Sequence, residues 1–168
     1  QTYKVAKKIL PQDSADAYLA FVDLNPAHPQ SPRLAVKVVQ IYTDNNLPSQ
    51  ALESKKAFTQ RYAVHSEFRQ QLDEEDRAWL NAQLRSYLKE LAEYHHALAQ
   101  QNAKLNTPKA AAAKEREGRG AAHRYRLYLD SFPDDPTAGS ISFLLAELLF
   151  ELKQYPESVV AYEQSAYD

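Results

Sequence analysis

The chain has 168 residues, a formal net charge of -2 and 25% charged side chains, which suits one ordinary globular domain and gives no basic excess of the kind nucleic acid selects. It contains no cysteine, which excludes disulfides, thiol chemistry and thiolate metal sites and leans towards an oxidising compartment. Three glycines set against abundant Ala, Leu, Gln, Lys and Glu direct the reading to helix, and no apolar run approaches the ~20 residues that span a bilayer.

In chain order, helices are predicted at about 2–10, 13–25, 32–45, 48–62, 74–105, 108–131 and 137–153, with an eighth from 156. Asp13 is the expected N-cap of the second, with Asp16 three residues on. Ser31 before Pro32 is the expected cap of the third, and Pro48 opens the fourth, where a missing N–H costs nothing. Asp73 opens the longest, with Glu74, Glu75 and Asp76 in its first turn favoured by the helix dipole. That helix carries one apolar stripe: Leu80, Leu84, Leu88, Leu91, His95 and Leu98, three or four residues apart. Thr107-Pro108 starts the next, in which Gly118 and Gly120 are expected to loosen or break the helix. The absence of methionine and the helical pattern of SVVAYEQSAYD lead us to expect a piece of a longer protein; the start has no basic-then-apolar signal pattern.

Shifted by 107 residues, the chain matches itself. YLAFVDLNPAHPQSP from Tyr18 falls on YRLYLDSFPDDPTAG from Tyr125, so that Pro26 meets Pro133 and Pro29 meets Pro136. Further on, Val38 meets Leu145, Tyr42 meets Leu149 and Ala51 meets Ser158. A helix–Pro-turn–helix unit therefore occurs twice.

Small, aromatic and proline positions in this order resemble the tetratricopeptide repeat (TPR), a helix pair of ~34 residues. Leu145-Ala146 and Leu149 match its first helix, Tyr155 its turn, and Ser158, Tyr162 and Ser165 its second helix. Ala121, Tyr125 and Pro133 match the end of the preceding unit, and Ala51, Phe58 and Tyr62 lie at the corresponding N-terminal positions. Val39 stands where a small residue is expected, and residues 64–120 form an irregular repeat with a long helix and an insertion. The ending F/Y-x-x-x-hydrophobic-Pro is similar to that of TPR proteins of the bacterial envelope, among them the outer-membrane barrel-assembly lipoproteins and the periplasmic coordinators of the Tol-Pal system. The resemblance implies one all-α segment over 1–168: a right-handed α-solenoid of antiparallel helix pairs, periplasmic or outer-membrane-associated, with other proteins as partners and no cofactor. In such a pair Ala146 and Ser158 would lie buried where the two helices touch.

Nothing in the chain reads as catalytic. His95 and His96 point ~100° apart on a helix and do not share a metal, and His95 belongs to the apolar stripe. The Asp73–Asp76 acids read as helix N-terminal charge, DNN at 44–46 as a turn, and no phosphate-binding glycine loop or nucleophile elbow is present. Charge is uneven: 104–126 carries +5 and 129–168 carries -7. If the first helices of each pair line a groove, as in stacked repeats, it would be lined by Gln40, Tyr42, Tyr87, Tyr94 and Glu147. Lys114, Arg116 and Arg119 would form a basic edge for an acidic partner segment. Two other functions compete. A cytoplasmic co-chaperone-like TPR would clamp a C-terminal carboxylate, for which Lys37 is present without a matching asparagine set. The third is a non-catalytic arm of a larger enzyme.

Overall fold

The computed structural model describes residues 10–63 and 67–166, and every regular element among them is a helix. These are α1 (Pro11–Leu24), α2 (Ser31–Asp44), α3 (Pro48–Tyr62), α4 (Glu67–Gln71), α5 (Glu74–Ala103), α6 (Pro108–Ser131), α7 (Ala138–Glu151) and α8 (Tyr155–Ala166). The helices expected at 48–62 and 108–131 have those bounds, and others shift by a residue or two. The helix expected at 2–10 lies outside the described residues. α4, a single turn, was not anticipated.

Local chemistry sets the helix starts. The Asp73 carboxylate accepts the Asp76 N–H at 2.8 Å, and Thr107 Oγ1 accepts the Ala110 N–H at 3.1 Å. Each such cap contributes roughly 1 kcal/mol. Two expected caps act differently. Pro11 takes the first turn of α1, so Asp13 sits inside that turn and accepts from the Leu10 N–H at 3.4 Å. Ser31 is the first residue of α2 rather than its cap. Its buried hydroxyl donates to the Asn25 carbonyl at 2.5 Å and ties the helix start to the end of α1.

The two glycines do not break α6, which runs unbroken through both. At Gly118 the missing side chain is used for a close approach, whereas a Cβ at Gly120 would meet only ordinary contacts. A Cβ at Gly118 would lie 2.7 Å from a Leu152 methyl, so the neighbouring chain occupies that space. The ~1 kcal/mol helix penalty of glycine is offset by packing that no larger residue permits.

The main packing follows chain order: α1 on α2, α2 on α3, α3 on α5, α5 on α6, α6 on α7 and α7 on α8. The predicted stripe of α5 is the centre of the core. Leu80, Leu84, Leu88 and Leu91 are fully buried, joined by Tyr62 of α3, Tyr125 of α6 and Leu148 of α7. Ala15, Val38, Tyr42 and Ala51 make a smaller cluster among α1, α2 and α3.

The internal match extends to the hydrogen bonds. Ser31–Asp44 and Ala138–Glu151 are the same helix 107 residues apart, and α3 and α8 start at matching residues. In the first turn, the Asn25 N–H donates to Phe21 O and the Ser31 N–H to His28 O. The Phe132 and Ala138 N–H groups repeat this to Tyr128 O and Asp135 O. In the second turn, the Leu47 N–H reaches back to Tyr42 O, as the Gln154 N–H does to Leu149 O. The intervening Asn46 and Lys153 both take positive φ, 56° and 61°. This left-handed residue after a helix lets the chain reverse while satisfying the last carbonyls.

Ala146 and Ser158 lie fully buried where α7 crosses α8, and the Ser158 hydroxyl donates to the Ala146 carbonyl at 2.8 Å. The equivalent positions on α2 and α3, Val39 and Ala51, are also buried, Val39 in the main core and Ala51 in the N-terminal cluster.

Candidate interaction surface

The eight residues picked as partner-binding fall in three settings. Gln40 on α2, Tyr94 on α5 and Glu147 on α7 are exposed. Tyr42 and Tyr87 are buried: Tyr42 in the N-terminal cluster, Tyr87 edge-on to Phe58 with ring centroids 5.3 Å apart. Burial pushes the Tyr87 phenol up to about 12. Lys114, Arg116 and Arg119 lie on α6. Lys114 Nζ donates to the Glu151 carbonyl at 2.9 Å, where a cation meets the negative end of α7. Arg116 pairs with Glu117 at 2.7 Å and Arg119 pairs with Glu115. Among the described residues, no hydrogen bond or ion pair joins any two of the eight.

Two open clefts accompany these residues. One of about 600 Å³ lies between the α2–α3 turn and α5, with Leu47 and Leu52 as apolar floor and Tyr94 and Glu90 on the far wall. Glu90 pairs with Lys55 across it. A second, of about 800 Å³, runs between α6 and α8 over α7, lined by Leu129, Leu145, Leu149 and Val160, with Arg126 and Glu163.

The adjacent histidines face different seams. His95 Nδ1 lies 2.6 Å from Glu117 Oε2 of α6, and its buried Nε2 has no partner. Burial lowers the His95 pKa, and the charges of Arg124 on α6 and Lys56 on α3 lower it further against the pull of Glu117. The ring is thus neutral at neutral pH, with Nδ1–H donating to the carboxylate. Burial works against ionisation of Glu117, but hydrogen bonds from His95 and Arg116 hold its pKa below the usual range. His96 stacks edge-on to Tyr125 and approaches its hydroxyl at 3.2 Å. Burial lowers its pKa too, against the opposing pull of Glu151 and Glu147. Neither ring offers an accessible nitrogen in a cleft. Among the described residues, no three His, Asp or Glu side chains converge as a metal site, and no helix is long and apolar enough to cross a membrane.

The sequence reading missed an exposed apolar strip. Phe143 and Phe150 on α7 and Tyr155 and Val159 on α8 stand 45–58% exposed. The signal was available: FLLAELLF carries apolar residues on every face with Glu147 as its one polar residue, and such a helix is either buried on most sides or partnered.

No family model matches the chain, and no match was found among curated proteins or solved structures.

Proposed function

We propose that the chain is a non-catalytic scaffold of the tetratricopeptide type, a right-handed α-solenoid that holds protein partners in a Gram-negative cell envelope. The observation that carries this reading is the recurrence of one helix–turn–helix–turn–helix unit with the same turn hydrogen bonds, packed mainly between chain neighbours. Nearest-neighbour stacking of a repeated unit is the arrangement of solenoids, whose surfaces serve to bind other chains. The buried histidines, each held by a neighbouring side chain, fit a structural role better than a chemical one.

Recognition in this reading is partly electrostatic, through the basic surface of α6 for an acidic segment. Lys114 is committed to the α6–α7 seam, so Arg116 and Arg119 are the residues to test. The Arg119–Glu115 pair is exposed on both sides and contributes little to stability, and the Arg116 guanidinium is exposed although its partner Glu117 is largely buried, which leaves both guanidinium groups within reach of a partner's carboxylates. The test is fluorescence anisotropy with a labelled acidic peptide across a salt series, repeated with the Arg116→Glu, Arg119→Glu variant. Binding should weaken with salt, and the variant should associate more slowly. Pull-downs from a Gram-negative envelope extract with both proteins address the compartment. Equal recovery of every partner by the two proteins would sink the electrostatic part of the proposal.

A further inference from the structure

The repeated unit makes one surface readable from another. On the N-terminal hairpin, α5 lies over the face that holds Val36, Leu52 and Lys55. Arg33 at the start of α2 pairs with Asp76 of α5 at 2.6 Å and lies 4.4 Å from the Trp79 ring centre. Lys55 pairs with Glu90 of α5 and lies 5.5 Å from the Tyr87 ring. Val36 packs into the main core, and Leu52 shares a cleft with Glu90 and Tyr94. This face receives an amphipathic helix that brings aromatic rings and carboxylates to a basic receptor.

The same face on the C-terminal hairpin is uncovered by any helix among the described residues. The equivalents of Val36, Leu52 and Lys55 are Phe143, Val159 and Tyr162. Phe143 stacks on Tyr162 with ring centroids 5.7 Å apart, and Phe150 on Tyr155 at 5.3 Å, so the strip is continuous across the α7–α8 seam. Phe143 and Phe150 are seven residues apart, two turns along α7 or ~10 Å. A depression of about 870 Å³ opens beside Phe143, between the α6–α7 turn and Ser165, with Asp134 on its rim.

The net charge of the hairpin is inverted, and the face loses its two basic partners of α5, Arg33 and Lys55, to Ser140 and Tyr162. The α2–α3 hairpin carries Arg33, Lys37, Lys55, Lys56 and Arg61 against Asp44 and Glu53, a net +3. The α7–α8 hairpin carries Glu147, Glu151, Glu157 and Glu163 against Lys153, a net -3. Position by position, Gln40 becomes Glu147 and Lys56 becomes Glu163, both exposed carboxylates flanking the apolar strip.

We propose that the α7–α8 face is a docking site for a basic amphipathic helix of another polypeptide, seated as α5 is seated on α2–α3. The apolar side of the partner, with anchors three, four and seven residues apart, covers Phe143, Phe150 and Val159. Its lysines or arginines meet Glu147, Glu163 and Asp134. The sequence of α5 itself does not suit this face, because Asp76 and Glu90 would meet Ser140 and Tyr162 instead of Arg33 and Lys55, with Glu147 and Glu163 nearby. The proposal rests on the reading of the chain as a binding module, but it uses neither Arg116 nor Arg119. Failure here and failure of the acidic-peptide test are therefore separate results.

The test uses three labelled peptides and fluorescence anisotropy on the whole chain. The first has the sequence of residues 74–97 with Glu74→Lys, Glu75→Lys, Asp76→Lys, Glu90→Lys and Glu93→Lys, the second has the native sequence, and the third is a scramble of the first. The basic peptide should bind at least about tenfold tighter than the other two, and Phe150→Ala and Glu147→Lys should each weaken it about five- to tenfold. Both substitutions are at exposed positions, and unchanged circular dichroism confirms that the fold is kept. Equal binding of the native or scrambled peptide, or equal affinity in both variants, overturns the proposal. A dimer of the chain in light scattering that Phe150→Ala dissolves also overturns it, in favour of a second copy.

Discussion

The hairpins α2–α3 and α7–α8 have the same turns and solve the same packing problem with different side chains. At the positions of the helix crossing, the first has Val39, in the main core, and Ala51, in the N-terminal cluster. The second uses Ala146 against Ser158 and adds a hydroxyl-to-carbonyl hydrogen bond. At the left-handed turn residue, the first has Asn46 and the second Lys153. Backbone hydrogen bonding is thus the invariant. Volume at the crossing is not conserved, since Val39 with Ala51 exceeds Ala146 with Ser158 by about two methyl groups, and net charge is free to invert.

The largest expected effect tests the packing at these positions. Ala146→Leu should destabilise the chain by about 1–3 kcal/mol in urea denaturation, the usual cost of overpacking, because Ala146 is fully buried against Ser158. Val39→Leu should cost less, since its site already holds a branched side chain. Equal losses would mean that the two crossings are not equivalent.

Acidification should loosen the α5–α6 seam that lies between the hairpins. His95 and His96 have folded pKa values below the ordinary 6.5, so the unfolded chain binds more protons. Stability is therefore full above that value and falls as pH drops from 6.5 towards the lowered folded values. Thermal melts from pH 7.5 to 5 should show this slope, and His95→Gln with His96→Gln should flatten it. An unchanged slope would place the acid sensitivity elsewhere.

Smaller effects refine the comparison. Ser158→Ala turns the second crossing towards the first and should cost roughly 0.5–1.5 kcal/mol, the net value of one buried hydrogen bond. Lys153→Gly should stabilise by up to ~1 kcal/mol, because a left-handed lysine is strained where glycine is not. Asn46→Gly should gain less, as asparagine tolerates that conformation. Equal gains would show that the two turns carry the same strain.

Much of the helix pattern was legible because its signals are local. Proline at a first turn, the Asp73 and Thr107 caps and the Leu80–Leu91 stripe act within a few residues of the sequence they mark. What escaped depends on distant neighbours. The single turn of α4 is too short for any periodicity. Gly118 reads as a helix breaker until Leu152, from another helix pair, is seen to fill its space. For the surface, Tyr42 and Tyr87 have the same composition signal as Tyr94, yet only Tyr94 is exposed, and on α7 a single Glu147 among apolar neighbours is a faint mark that Phe143 and Phe150 point outward. The 107-residue self-match did carry over distance. It compares two places with one another and needs no knowledge of either environment.

The notch at Gly118 has a mechanical consequence. Leu152, at the end of α7, enters the groove of α6 where any other residue would place a carbon, with its methyl groups 2.7 and 2.9 Å from that point. The leucine is a pivot and the glycine its bearing, next to the Lys114 contact that holds the end of α7. Alanine at 118 would press on those methyl groups, so that either the Leu152 side chain turns aside or the end of α7 shifts.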